Sequence, residues 1–253
     1  SMSGSNTNYL LAIENLTVSF DGFRAVDDVT AYIDYNELRV VIGPNGAGKT
    51  TLLDLICGKT AASDGAIRFK NKEITRMQEH RIVREGVGRK FQTPSIYENL
   101  SVYENLEVSY PAARNVLPAL FFRVDEEIDA RIREVAETIF LADCLDMEAS
   151  LLSHGQKQWL EIGMLLAQEP RLMLVDEPAA GMTPEEREKT TDILKEAAKT
   201  RAVVVVEHDM EFVRRLDCKV TVLHEGSVLA EGSLDHVTSN QTVIDVYLGR
   251  AHA

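Results

Sequence analysis

Hydrophobic and polar positions alternate in some parts of the chain and form continuous apolar runs in others. Alternation over residues 11–20 and 26–33 predicts a pair of antiparallel β-strands. Continuous apolar runs at residues 40–42, 172–175 and 203–206 predict strands buried on both faces, as a parallel sheet requires. The two patterns together indicate an α/β fold with a mixed sheet core and an antiparallel β-subdomain.

Helical periodicity lies between these strands, and it predicts helices over residues 49–57, 126–140, 156–168 and 184–198. The last of these begins with Thr183 as N-cap, Pro184 in the first turn and Glu186 to complete a capping box.

Strand patterns are scarce between the first and second buried runs. Residues 101–168 are therefore predicted to form an inserted helical subdomain, with a loop over residues 110–118 where two prolines interrupt any helix. Residues 1–8 are expected to form a tail. Residues 9–253 are expected to form a single domain, whose core and β-subdomain comprise residues 9–100 and 169–253.

Composition narrows the function. The formal charge of −13 argues against a broad nucleic-acid surface. No apolar run reaches ten residues, where a membrane-spanning helix needs about 20. The three cysteines are far apart and predict reduced, buried thiols, and the six histidines show no metal-ligand spacing.

A glycine-rich stretch follows the first buried run and fits the pattern GxxxxGK[ST]. Its glycines let backbone N–H groups surround phosphate oxygens, and the following helix directs its positive N-terminus at them. In this pattern Lys49 reaches the β- and γ-phosphates and the Thr50 hydroxyl binds Mg²⁺. Nucleotide contacts are expected from Gly43, Asn45, Gly46, Ala47, Gly48, Lys49, Thr50 and Thr51.

Two acids end the second buried run. Beside a phosphate loop, Asp176 is expected to bind the metal, and Glu177 is expected to orient or polarise a water molecule. On its own, an acid at this position would only mark the end of a strand.

A short motif, Leu152-Ser153-His154-Gly155-Gln156, precedes a predicted helix, and Ser153 with Gln156 fits a capping box. It lies 23 residues before Asp176, where ATP-binding subunits of ABC transporters carry LSGGQ. The phosphate loop, this signature, the acidic strand end and His208 occur in that family's order. Over about residues 11–249 the chain resembles this family.

The resemblance implies an ABC-type P-loop nucleoside triphosphate hydrolase that binds ATP and Mg²⁺. Gln92 matches the glutamine loop, which contacts Mg²⁺ and senses the membrane partner, and His208 matches the switch histidine at the γ-phosphate. Phe20 matches the aromatic residue that stacks on adenine, with Val26 at the ring edge and Phe23 as the rival for stacking.

The resemblance also implies a pair of such subunits. Ser153, Gly155 and Gln156 of one subunit would cover the ATP held by the phosphate loop of another, and Glu177 with His208 would direct water at the γ-phosphorus. Lys49, Glu177 and His208 are thus the expected catalytic residues, and Thr50, Gln92 and Asp176 the expected metal ligands.

Two positions depart from the family pattern. His154 replaces the first signature glycine, so the backbone approach to the γ-phosphate must tolerate a side chain. The segment Ala180-Gly181-Met182-Thr183 lacks the aspartate that usually communicates between the two sites.

The finer resemblance is to ATPases of branched-chain amino acid and urea importers, and residues 152–163 look most like the urea branch. It implies a peripheral protein on the inner face of the plasma membrane. Its partners would be a second, identical or related ATPase, two membrane permeases and, indirectly, a periplasmic binding protein. Pro94, Ile96, Tyr97 and Leu100 are a candidate docking groove for the permease, or ordinary core.

Other functions fit the same residues. Besides urea import, the sequence fits import of branched-chain amino acids and lipopolysaccharide export. A soluble ATPase for iron–sulfur assembly is also a single cassette.

Overall fold

The computed structural model describes residues 8–90, 95–111 and 121–248, with the side chains of residues 121–124 and 248 omitted. The strands are β1 (Leu11–Phe20), β2 (Phe23–Ile33), β3 (Leu38–Ile42), β4 (Asp64–Phe69), β5 (Lys72–Glu73), β6 (Val87–Lys90), β7 (Leu172–Asp176), β8 (Ala202–Val206), β9 (Lys219–His224) and β10 (Ser227–Gly232). The helices are α1 (Lys49–Cys57), α2 (Glu79–Glu85), α3 (Val102–Val108), α4 (Phe121–Thr138), α5 (His154–Ala167), α6 (Pro184–Ala197), α7 (Met210–Leu216), α8 (Leu234–Thr238) and α9 (Gln241–Leu248).

The strands form two sheets. The antiparallel sheet has the order β2-β1-β4-β5, and the predicted pairing of β1 with β2 is confirmed, although β2 begins at Phe23. The second sheet has the order β10-β9-β3-β8-β7-β6. Its neighbouring strands from β9 to β6 are parallel, and β10 joins β9 in antiparallel orientation. The predicted mixed sheet is therefore confirmed.

The continuous apolar runs are buried on both faces, as expected. Along β8, Val203 and Val205 pack into one hydrophobic cluster with α5, α6 and α7, whereas Val204 packs into another with β1, β2 and α1. Successive side chains of a strand point to opposite faces, so each core strand joins two cores.

Helix ends follow their capping residues. The helix over residues 49–57 is confirmed, as is the capping box of Thr183 and Glu186 on α6. The helix predicted from residue 156 begins two residues earlier, because Ser153 is its N-cap and forms a capping box with Gln156. The helix predicted from residue 126 begins at Phe121.

The region between β6 and β7 is helical wherever it is described, apart from turns and an isolated bridge between Ser101 and Glu148. Strand β6 itself was not predicted. Most of the loop expected over residues 110–118 lies outside the described residues, so a helical subdomain over residues 101–168 stays a prediction. Among the described helices, none is long and apolar enough to span a bilayer.

Candidate active site

The site is built where neighbouring parallel strands end. Strands β3, β8 and β7 lie side by side, and Val206 pairs with both Val41 and Asp176. The loops that follow these strands therefore leave the sheet at one edge, which is where open α/β sheets bind ligands. Those loops carry the phosphate-loop residues, Glu177 and His208.

The phosphate loop needs glycine at two of its turns. Gly46 and Gly48 have φ angles of 81° and 98°, a region that strains any other residue. A Cβ on Gly48 would lie 2.6 Å from the carbonyl oxygen of Ala25 on β2. From the other side, the Gly226 N–H in the β9–β10 turn donates to the Ala47 carbonyl at 3.0 Å. Both sheets thus support the loop.

The first turn of α1 fits an anion. Its N-cap is Gly48, no side chain caps it, and it has no acidic residue. The first N–H groups of a helix have no intrahelical acceptor, and they carry the positive end of the helix dipole. The N–H groups of Lys49, Thr50 and Thr51 are therefore oriented for phosphate oxygens.

Lys49 is buried beside this turn, and its ammonium donates to the carbonyl of Gly43. Burial lowers the pKa of Lys49, although Glu177, Glu207 and Asp176 act in the opposite direction. The three carboxylates favour the charged form of the ammonium, and a buried cation beside the first turn of α1 suits the phosphates of a nucleotide.

The surroundings of Asp176 fit a divalent cation. Burial is the main cause that raises the pKa of Asp176, and repulsion from Glu177 and Asp54 adds to it. Arg89, whose Nη2 lies 3.7 Å from Oδ2 of Asp176, opposes the rise. The Thr50 side chain, exposed at the start of α1, can add a hydroxyl oxygen.

In the described parts of the chain, no three His, Cys, Asp or Glu side chains could together hold a metal. Mg²⁺ commonly takes one or two protein oxygens and the rest from phosphate and water, so Asp176 and Thr50 fit the protein's share of such a site. Gln92, the third expected ligand, and Pro94 of the expected docking groove lie outside the described residues.

Glu177 and His208 meet at the same edge. Glu177 is a non-glycine residue with φ of 45°, held one position beyond β7 by its N–H bond to the Val206 carbonyl at 2.8 Å. Such a conformation costs about 1–3 kcal/mol and is common at functional sites. Oε1 of Glu177 lies 3.2 Å from Nδ1 of the exposed His208. The sequence predicts that these two residues cooperate, and the structure brings them together.

Glu207 has a role that the sequence patterns do not predict. Its side chain is 1% exposed and accepts hydrogen bonds from the backbone N–H groups of His208 (3.0 Å), Asp209 (3.4 Å) and Ala179 (3.3 Å). Burial raises the pKa of Glu207, while these hydrogen bonds oppose the rise. One carboxylate thus joins the loop after β7 to the loop after β8. The sequence signal for this role is an acidic residue placed directly after a fully buried strand.

The candidate adenine contacts lie in the β1–β2 hairpin. Phe20 and Phe23 are paired across it and both are exposed, so either can stack on a ring. Val26 is fully buried under the phosphate loop, with Cγ2 3.6 Å from the position of a Cβ on Gly48. In this structure Val26 supports the loop, and its expected contact with an adenine edge stays a prediction.

The signature residues lie at the N-terminus of α5. The Ser153 hydroxyl accepts from the Gln156 N–H at 3.2 Å, and Oε1 of Gln156 accepts from the Ser153 N–H at 2.9 Å. The side chain of His154 turns toward its own subunit, with Nε2 3.2 Å from the Ala180 carbonyl oxygen. The imidazole therefore does not cover the helix N-terminus, which is capped by Ser153 and where Gly155 is buried against the Glu186 carboxylate.

Comparison with known proteins agrees with this geometry. The family profile described as ABC transporter matches residues 26–180. The chain belongs to the ABC transporter family.

Relatives of this ABC cassette are similar over nearly their whole length. The high-affinity branched-chain amino acid transport ATP-binding protein BraF of Pseudomonas aeruginosa is 33% identical, over 96% of this chain and 98% of that protein. The probable branched-chain amino acid transport ATP-binding protein LivG of Archaeoglobus fulgidus is 31% identical, over 95% of each chain.

Solved ABC cassettes share the fold. An ATP-binding cassette of an ABC transporter in its ADP conformation superposes with a TM-score of 0.82 at 28% identity, over 96% of this chain and 100% of the other. A nucleotide-free cassette gives 0.80 at 29% identity, over 94% and 98%. The expected fold and the expected ATPase activity of this ABC protein are thereby confirmed.

Proposed function

We propose that this ATPase powers a solute importer by closing on a second ATPase subunit around ATP, at the inner face of the plasma membrane. The observation that carries the proposal is the convergence of Lys49, Asp176, Glu177 and His208 at one sheet edge, while the signature lies at a helix N-terminus elsewhere on the same chain. A paired arrangement uses both surfaces.

Each residue then has a physical role in ATP hydrolysis. Lys49 and the first turn of α1 bind the β- and γ-phosphates, and Thr50, Asp176 and Gln92 would hold Mg²⁺. The metal, when bound, offsets the negative charge of the phosphates. Glu177 orients the attacking water, and His208, 3.2 Å from it, holds that carboxylate and contacts the γ-phosphate. Such catalysis needs positioning and charge stabilisation more than covalent chemistry.

Closure requires the partner subunit's signature. Ser153, Gly155 and Gln156 would supply hydrogen-bond donors and the positive end of α5 to the γ-phosphate held by the partner. Hydrolysis removes those shared contacts, and the pair opens. This two-state motion is what the two membrane permeases would harness.

A groove of about 690 Å³ supports permease docking. It lies between the end of α2, α3 and the end of α5, and its lining includes Val83, Tyr97, Val108 and Met164. Tyr97 is 58% exposed, and Val83 and Val108 are exposed as well. Ile96 instead packs against the core and Leu100 is half-buried, so of the expected docking residues Tyr97 alone lines this groove among the described positions.

The solute is inferred from relatives because it never contacts this chain. The relatives named above are branched-chain amino acid transport proteins, which favours that solute class. Urea is the second candidate, favoured by the wording of residues 152–163 around His154. A periplasmic binding protein would deliver either solute to the permeases.

Uptake of labelled leucine and labelled urea tests the proposal in a strain that lacks this gene, complemented by wild type or by Lys49→Ala. We expect leucine uptake to return with wild type and not with Lys49→Ala. Recovery of urea uptake alone would move the protein to the urea branch. Recovery of neither would contradict the importer role.

A further inference from the structure

Two unusual positions of the sequence meet in space. His154 lies at the start of α5, and Ala180 lies in the loop after Glu177, 26 residues further along the chain. Nε2 of His154 is 3.2 Å from the Ala180 carbonyl oxygen. A carbonyl only accepts, so Nε2 carries the proton and donates. The imidazole therefore fixes this loop to the signature of its own subunit.

Residues next to this hydrogen bond also bring the signature and the segment after Glu177 into close contact. Gly181 has φ of 72°, and a Cβ there would lie 3.1 Å from Nε2 of His154. The Ser153 hydroxyl donates to Oε2 of Glu186 at 3.4 Å, and a Cβ on Gly155 would overlap that carboxylate. We call the contacts of Ser153, His154 and Gly155 with the loop after Glu177 and with Glu186 of α6 the signature–loop contact.

The contact continues to the catalytic carboxylate through the backbone. The Ala180 N–H donates to the Glu177 carbonyl at 3.2 Å, while the Ala180 carbonyl accepts from His154. Displacement of His154 thus acts on a turn that begins at Glu177. Glu177 is already held in a strained conformation, so its side-chain direction depends on this turn.

We propose that His154 is a positioning residue that couples the signature to Glu177 within one subunit. The inference rests on the proposed pairing, in which the signature covers the partner's ATP. Binding of ATP by the partner then changes the placement of Glu177 in the subunit that supplies the signature. Each ATP site therefore reports its occupancy to the other, and hydrolysis is cooperative in ATP.

The test uses His154→Ala, which removes the donor, and His154→Gln, whose amide keeps a donor at similar reach. ATPase rate is measured against MgATP concentration, and nucleotide affinity is measured with a fluorescent ATP analogue. We expect His154→Ala to lower kcat about threefold to tenfold, the size of one hydrogen bond, and to lower the Hill coefficient toward unity. Analogue affinity and Tm should change little, and His154→Gln should restore both kinetic parameters.

Wild-type cooperativity in His154→Ala would overturn the inference. Equal losses of kcat and of cooperativity in His154→Gln and His154→Ala would also overturn it, because the effect would then come from the shape of the side chain and not from its hydrogen-bond donor. The pairing itself is tested separately by MgATP-driven dimerisation of Glu177→Gln. If that variant dimerises while His154→Ala keeps wild-type kinetics, only this inference fails. If it stays monomeric, the proposed pairing fails and the inference fails with it.

Discussion

Replacing one member of the buried Lys90–Glu161 ion pair should destabilise the fold far more than replacing both. Nζ of Lys90 lies 3.3 Å from Oε2 of Glu161, and the two side chains are 0% and 7% exposed. The pair joins the end of β6 to α5. Burial raises the pKa of Glu161 and lowers the pKa of Lys90, while each partner opposes the shift of the other.

The upper limit on the cost of each single change follows from the charge that loses its ion-pair partner. Glu161 keeps a backbone hydrogen bond from Ser95, and Lys90 keeps the attraction of Asp176, so the true costs lie below these limits. In Lys90→Met, protonating Glu161 at pH 7 from its ordinary pKa of 4.5 costs up to about 3.4 kcal/mol. In Glu161→Met, deprotonating Lys90 from 10.5 costs up to about 4.8 kcal/mol. Both values match the roughly 3–5 kcal/mol known for broken buried pairs, and they correspond to a Tm lower by about 7–20 °C. The double variant Lys90→Met/Glu161→Met should lie within about 1 kcal/mol of wild type.

The two single variants should respond to pH in opposite directions. A carboxyl with a raised folded-state pKa loses stability as pH rises, so Lys90→Met should recover up to about 2.7 kcal/mol between pH 7 and pH 5, relative to wild type. An amine with a lowered pKa loses stability as pH falls, so Glu161→Met should recover a similar amount between pH 7 and pH 9.

Urea unfolding of the four proteins at pH 5, 7 and 9 measures these effects. The reasoning is refuted if either single variant loses less than about 1 kcal/mol, or if the double variant loses the sum of the two. Parallel pH slopes for the single variants would also refute it, because opposite residual charges could not then be the cause.

Other consequences concern the active site and one thiol. Lys49→Ala should abolish binding of a fluorescent ATP analogue, since the buried ammonium beside the phosphate loop is lost; retained affinity would contradict its role. Glu207→Gln should lower kcat at least about tenfold with little change in KM. The new amide N–H₂ would face a backbone N–H group that now donates a hydrogen bond to the carboxylate. An unchanged kcat would show that this carboxylate does not position the two loops. Burial raises the pKa of Cys218 to about 12, so it should resist iodoacetamide at pH 8 in the native protein and react in denaturant, as mass spectrometry of its peptide will show. Rapid native labelling would contradict that burial.

Local signals predicted much of the fold and the site. The phosphate loop, α1 and the capping boxes depend on residues close in sequence, so their patterns are readable from the chain alone. The meeting of Glu177 with His208 depends on strand order, and the family's motif order supplied that information.

Features formed by distant residues were missed. Strand β6 is only four residues long and includes Arg89 and Lys90, which are buried because Asp54 and Glu161 pair with them from α1 and α5. The burial of Val26 and the role of Glu207 likewise arise from tertiary packing. The direction of the His154 side chain depends on a loop 26 residues away, which no local pattern encodes.

The central claim, that two subunits close around ATP, is tested most directly by the mass of Glu177→Gln in solution. Light scattering after size exclusion, with and without MgATP, should show 28.2 kDa without nucleotide and about twice that mass with it. The matched control Lys49→Ala/Glu177→Gln should remain at the monomer mass in both conditions. A Glu177→Gln protein that stays monomeric at saturating MgATP, while it binds the nucleotide, would contradict the account.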